Sequence, residues 1–183
     1  MDGVAALEYC LACPELIDAR RLVLYGQSLG GAVAVAAWTH VEPEHRRAAA
    51  VARRFGGGLY GADEGEGCVC GLVLENTFTS MAAMLPAAVP RPLIGVMQPL
   101  LWDRWATVEK VGGLTAPTLF VSGLKDELIA PAMMTALHDA AANSVERLLV
   151  TVPRGTHNGS WSEGGPAHQA VVCRFISFHT DNT

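Results

Sequence analysis

The sequence predicts an α/β protein built on a parallel sheet of about four strands with flanking helices, and three observations predict it. Short apolar runs recur at Arg21-Leu-Val-Leu-Tyr25, Gly71-Leu-Val-Leu74, Ala116-Pro-Thr-Leu-Phe-Val121 and Arg147-Leu-Leu-Val-Thr-Val152, each with the length and aliphatic content of a buried strand. Helix-prone stretches separate them, the alternation that a parallel sheet with crossover helices requires. The first run enters a glycine-bounded turn, Gly26-Gln-Ser28-Leu-Gly30-Gly31-Ala32, and then the small-residue run Val33-Ala-Val-Ala-Ala-Trp38 of a closely packed helix.

Taken in order, Asp2 caps a helix through about Ile17, with Val4, Leu7, Cys10, Leu11 and Leu16 near helical spacing. After the turn helix, residues 41–70 change character. Glu42-Pro-Glu-His-Arg-Arg is charged, Ala48–Arg54 is helix-prone and Gly56–Gly67 is glycine-rich and acidic, so the stretch reads as a solvated insertion in an otherwise single domain spanning 1–183. Pro86 to Gly113 is apolar but broken by Pro90, Pro92 and Pro99, which suits short helices flanking or covering a pocket, with ordinary core packing as the plainer alternative. Pro131 suits the first position of a helix whose Met133, Met134, Leu137 and Ala141 form an inward stripe. A last helix is expected over about Ala167–Phe178.

Gly-x-Ser-x-Gly is the pattern of a nucleophile elbow, in which a strained strand-to-helix turn lifts the serine above the sheet. Gly26 and Gly30 leave room for the reversal beside Ser28, and Gly31 lets the helix start near the strand. The Leu29 backbone N–H faces the same space and can donate to a developing oxyanion. Alone the motif is weak, since it arises by chance in roughly one chain of this size in twenty. The strand before it and the helix after it strengthen it.

In parallel α/β sheets ligands sit beyond the carboxyl ends of the strands. Ser28, Asp126 and His157 each follow a different strand, in the order nucleophile, acid, base. His157 would take the serine proton and Asp126 would hold the other ring nitrogen. Glu127 and Glu75 compete as the acid. Asp126 is favoured because it follows the strand next to the one bearing the histidine loop, whereas Glu75 is expected to anchor loops by hydrogen bonds. The other histidines, 40, 45, 138, 168 and 179, read as surface or core residues.

The 183 residues are 50% hydrophobic, enough for a sizeable core, and the net charge of −5 with no basic cluster beyond Arg46-Arg47 and Arg53-Arg54 argues against nucleic-acid binding. No run of 18 or more apolar residues occurs and the start, Met-Asp-Gly, has no basic-then-apolar signal pattern, so an intracellular location is expected. Five cysteines without framework spacing read as free thiols, with Cys10-x-x-Cys13 and Cys68-x-Cys70 set aside as metal or redox motifs for want of partner pairs. Asn158-Gly-Ser160 matches a glycosylation sequon by coincidence.

Four segments in order, Leu24-Tyr-Gly-Gln-Ser-Leu-Gly-Gly-Ala-Val-Ala, Leu74-Glu-Asn-Thr-Phe-Thr-Ser-Met, Leu119-Phe-Val-Ser-Gly-Leu-Lys-Asp-Glu-Leu-Ile-Ala-Pro and Pro153-Arg-Gly-Thr-His-Asn, resemble the family of alpha/beta-hydrolase domain-containing protein 13 and the bud-emergence-type hydrolases, a group filed beside the prolyl-oligopeptidase clan of serine peptidases. The resemblance covers nearly everything but residues 41–70. It implies a partial α/β-hydrolase fold, with Ser28 as nucleophile, Asp126 as acid and His157 as base. It further implies a serine hydrolase of esters, thioesters or amides, with no cofactor or metal and with a small-molecule or acylated-protein substrate. Family members also carry an amino-terminal half with several strands, a His-Gly loop giving a second oxyanion donor, and commonly a membrane anchor. No histidine here precedes a glycine, so the expectation is a carboxyl-terminal portion, membrane-associated only in a longer form. Its elbow strand would then be an open edge prone to self-association, and the alternative function is a catalytically impaired fragment acting as an interaction module.

Overall fold

The computed structural model of the chain describes residues 2–13, 15–18, 21–54, 69–88, 90–97 and 105–181. Helix α1 (Asp2–Ala12) leads to strand β1 (Val23–Gln27), helix α2 (Leu29–Arg54) and strand β2 (Gly71–Glu75). Short helices α3 (Met81–Ala88), α4 (Arg91–Met97) and α5 (Thr107–Val111) precede β3 (Thr118–Gly123). Helix α6 (Pro131–Ala140), β4 (Arg147–Val152), the single turn α7 (Ser160–Glu163) and α8 (Gly165–Asp181) complete it. The sheet order is β1-β2-β3-β4 and every pair is parallel. This is the predicted four-stranded α/β architecture.

Alternation along the central strands divides the core into two layers. Leu72, Leu74 and Phe120 face a cluster with Leu7, Val35, Trp38, Val111, Met134 and Leu137, drawn from α1, α2, α5 and α6. Val73, Leu119 and Val121 face Val172 and Phe175 of α8 on the opposite side. Every residue of β2 and β3 is buried, whereas β1 and β4 are partly exposed, as outer strands are. Side chains as fully enclosed as Leu72, Leu74 and Phe120 each contribute about 1.5–3 kcal/mol of apolar transfer. They are what holds the strand ends, and hence the site, in place.

Three expectations are corrected. The first helix stops at Ala12 rather than about Ile17, and the backbone N–H groups of Leu16 and Ile17 turn back to the Cys13 carbonyl. Pro14 explains the stop, since a following proline disfavours helical conformation at Cys13. Residues 41–54 continue α2, which accommodates Pro43, rather than leaving the helix at residue 41, and Val41 and Glu42 are buried; the helix-prone 48–54 part is helical as expected. The glycine-rich 55–68 part lies outside the described residues, as do Cys68 and residues 98–104 of the apolar segment. Finally, α8 is longer than expected, running Gly165–Asp181, and Gly165, at φ +62°, separates it from α7. Pro131 does open α6, and Met134 and Leu137 are its buried stripe. Among the described residues no helix is long and apolar enough to cross a membrane.

Candidate active site

Ser28 sits between the last residue of β1 and the first of α2 with φ 53°, a left-handed conformation that is uncommon outside glycine and costs of order 1 kcal/mol or more. Backbone bonds hold it there. Its N–H donates to the Glu75 carbonyl at 2.9 Å, and its own carbonyl accepts from Gly31 N–H at 3.1 Å and from Thr77 Oγ1 at 2.6 Å. Two of the three glycines in this turn are sterically required. A Cβ on Gly26 would lie 2.3 Å from the Gly30 carbonyl oxygen, and one on Gly31 would lie 2.7 Å from the Thr77 side chain. Gly30 differs from expectation, for a Cβ there meets nothing within 4 Å. Leu29 opens α2, so its N–H has no carbonyl one turn earlier in that helix to bond, and it carries part of the positive end of the helix dipole.

Asp126 follows β3 in a tight turn. Its Oδ1 accepts from the backbone N–H groups of Leu128 and Ile129, both at 2.8 Å, which aims Oδ2 at the histidine. His157 follows β4, and its chain crosses the strand ends one after another. Over β3, the Gly155 carbonyl accepts from Lys125 N–H at 2.9 Å, and Gly123 and Gly155 are so close that a Cβ on Gly123 would lie 2.5 Å from the Gly155 oxygen. At β2, Asn76 Nδ2 donates to the carbonyls of Thr156 and His157, at 3.1 and 3.0 Å. At β1, Gln27 Nε2 donates to the same His157 carbonyl at 2.9 Å.

The three residues predicted from the sequence therefore meet. His157 Nε2 lies 3.0 Å from Ser28 Oγ, and Nδ1 lies 2.9 Å from Asp126 Oδ2. The side chains of His157 and Asp126 are 6% and 1% exposed, so their contact is shielded from water. The competing acids do other things. Glu75 is buried, its carboxylate accepting from the Tyr25 hydroxyl, and burial together with that bond and the carboxylate charge raises the Tyr25 pKa. Glu127 Oε2 accepts the backbone N–H of His157 at 3.2 Å. Hydrogen bonds from its own backbone N–H and then from that of His157 hold its carboxyl below the ordinary value. Both glutamates thus direct their carboxylates at donors other than the imidazole ring. Sequence reasoning missed Gln27, Asn76 and Thr77, because their partners lie far along the chain.

No protein-family profile matches the chain. It is similar to the alpha/beta hydrolase domain-containing protein WAV2 of Arabidopsis thaliana, 30% identical over 186 residues, which cover 96% of this chain and 52% of that protein. It is also similar to the protein bem46 of Schizosaccharomyces pombe, 29% identical over 185 residues, 100% of this chain and 52% of that one. The chain thus spans about half the length of these curated relatives. Among solved structures, the acetyl xylan esterase of Paenibacillus sp. R4 superposes with a TM-score of 0.66 at 16% identity, over 98% of this chain and 51% of that one. The uncomplexed acylaminoacyl peptidase of Pyrococcus horikoshii gives 0.64 at 14% identity, over 94% and 26%. The four-stranded parallel sheet with its flanking helices is that of an α/β hydrolase, and in sequence the chain is a relative of the WAV2 and bem46 alpha/beta hydrolase domain proteins.

Proposed function

We propose that the chain carries the nucleophilic centre of a serine hydrolase, with Ser28 as nucleophile, His157 as base and Asp126 as the acid that orients it. The observation that carries this reading is the pair of contacts linking three remote residues, 3.0 Å from hydroxyl to imidazole and 2.9 Å from imidazole to carboxylate. Nε2 accepts the hydroxyl proton as Oγ attacks an acyl carbon, and Asp126 stabilises the imidazolium that forms. The Leu29 N–H donates to the carbonyl oxygen as it becomes negative. Expulsion of an alcohol, thiol or amine, protonated by Nε2, leaves an acyl-Ser28 intermediate. Water activated by the same imidazole then releases the acid and restores the serine.

The substrate class is an ester, thioester or amide of a small molecule or an acylated protein. Exposed Leu29 and Leu128, adjoining the elbow and the acid turn, and exposed Trp161, beyond the base, favour an apolar acyl group. The test is a fluorophosphonate probe. It should label the chain, with labelling lost on Ser28→Ala and strongly reduced on His157→Ala. Equal labelling of parent and both variants would sink the reading.

A second reading is an interaction module with an impaired site. It is favoured by β1, which lies at an edge of the described sheet with Tyr25 45% exposed. Loss of one oxyanion donor lowers turnover by about 10²–10³. The two readings part on the same probe, because an impaired site labels slowly while still depending on Ser28.

A further inference from the structure

Asn76 bonds by its side chain to both β3 and the histidine loop, and its placement is unusual on three counts. It is 1% exposed, it adopts φ 44°, and its side chain makes four hydrogen bonds. Its Oδ1 accepts from Gly123 N–H at 2.7 Å, which settles the orientation of the amide, since the flipped group would turn donor against donor. Nδ2 is thereby directed at the Thr156 carbonyl, the His157 carbonyl and Ser160 Oγ, at 3.1, 3.0 and 2.9 Å. Two amide protons serve three acceptors, so at least one bond is shared. Ser160 Oγ in turn donates to the Thr156 carbonyl at 3.0 Å, closing a small network around the base.

The neighbours of Asn76 in sequence serve the nucleophile. Glu75 accepts the Ser28 N–H and Thr77 donates to the Ser28 carbonyl. One tripeptide at the end of β2 therefore grips the backbone of Ser28 with its outer residues and the backbone of His157 with its middle one. Gln27, the residue before Ser28, adds a second donor to the His157 carbonyl.

We propose that Asn76, seconded by Gln27, is the positioning residue of the base: it clamps the His157 carbonyl so that the imidazole spans from Asp126 to Ser28. This rests on the reading of His157 as the base. A carbonyl with two side-chain donors cannot swing without losing both, and a displacement of 1 Å at a reacting group costs as much as about 10²-fold in rate. The alternative is that the network only stabilises the loop.

Asn76→Asp separates the two. It keeps the shape, the tolerance of a left-handed φ and the acceptor for Gly123, but sets a carboxylate oxygen against the two loop carbonyls. In the full chain, heteronuclear NMR should show a slowly exchanging His157 Nδ1 proton, assigned by its loss in His157→Ala. That signal should vanish in Asn76→Asp while the circular dichroism of the fold persists, and it should weaken in Gln27→Leu. Fluorophosphonate labelling should slow about 10²-fold in Asn76→Asp, and the same substitution should cost nothing further in a His157→Ala background. An unchanged ring signal in Asn76→Asp, or an equal loss of labelling in both backgrounds, overturns the clamp. If Asn76→Asp does not fold, Gln27→Leu decides by the same two readouts. Absence of labelling in the parent chain defeats the proposed function instead, and the ring signal still decides whether Asn76 holds the histidine.

Discussion

Two glycines of one motif should respond to the same substitution with opposite signs. At Gly26 an added Cβ would lie 2.3 Å from the Gly30 oxygen, 2.5 Å from the Gly30 carbonyl carbon and 2.6 Å from Gly31 Cα. All three are backbone atoms of the first turn of α2, so no side chain can rotate away. Restoring ordinary contact requires the strand end and the helix start to separate by roughly 1 Å. Overpacking of this kind costs about 1–3 kcal/mol, and with only backbone to yield we expect the upper part of that range. For a chain of this size 1 kcal/mol corresponds to roughly 2–4 °C in Tm, so Gly26→Ala should melt about 4–12 °C lower. Gly30 lies in the same turn of helix, where an added Cβ would meet nothing within 4 Å and the backbone has no positive φ. There alanine gains helix propensity, up to about 1 kcal/mol, and Tm should hold or rise by roughly 2–4 °C. Thermal unfolding followed by far-ultraviolet circular dichroism measures both. Equal destabilisation by the two variants, or a Gly26→Ala chain as stable as the parent, would refute the steric account of the elbow.

The remaining expectations concern the carboxylates and the sheet edge. Tyr25→Phe leaves the buried Glu75 carboxylate without its hydroxyl donor, and denaturant titration should show a loss of about 1–3 kcal/mol; no loss would mean that the contact is incidental. Because the Glu127 carboxyl is held below its ordinary 4.5, its contribution to stability is complete above that pH and fades as pH falls through the lowered value. A Tm profile of Glu127→Gln should therefore differ from the parent above pH 4.5 and converge with it in more acid solution, and a gap that widens towards low pH contradicts the assignment. Asp126→Asn should preserve the fold but reduce probe labelling by up to about 10⁴-fold through the wrong imidazole tautomer, whereas labelling at the parent rate removes Asp126 from the site. Sedimentation velocity at micromolar to millimolar concentration should show association through β1, and a monodisperse monomer throughout that range argues against the open edge.

Periodicity and turn chemistry reveal a great deal of this molecule. The four apolar runs are the four strands, and the elbow is legible because its signature is local: a strand, a glycine that cannot carry a Cβ, a strained serine and a helix. Ser28, Asp126 and His157 are legible because each follows a strand, and parallel strands bring their carboxyl ends to one rim. The continuation of α2 through Pro43 is not legible, because charge and proline argue for a loop there while tertiary contacts that enclose Val41 and Glu42 prevail. Gly30 misleads for the opposite reason. Its place in the motif suggests a steric duty that the open space around it does not impose.

Asn76 and Gln27 are hidden at a deeper level, and the strand order explains why. From β4 to β1 the sheet takes three inter-strand steps, about 14 Å, and five residues after β4 reach at most about 17 Å when fully extended. The chain does not run extended, for Gly155 N–H turns back to the Val152 carbonyl at 3.0 Å. His157 can approach Ser28 only if the loop lies low across the strand ends, which is what the glycine pair at 123 and 155 permits. A backbone laid directly on the ends of β3, β2 and β1 then presents its carbonyls to whatever side chains those ends carry, here Asn76 and Gln27. Nothing in the spacing of Gln27 or Asn76 along the sequence marks them, since their partner is chosen by the order in which the strands pair. The length of the loop and the amides at the strand ends are thus one constraint, and a longer loop could bring an imidazole to the same serine while riding too high for either amide to touch it.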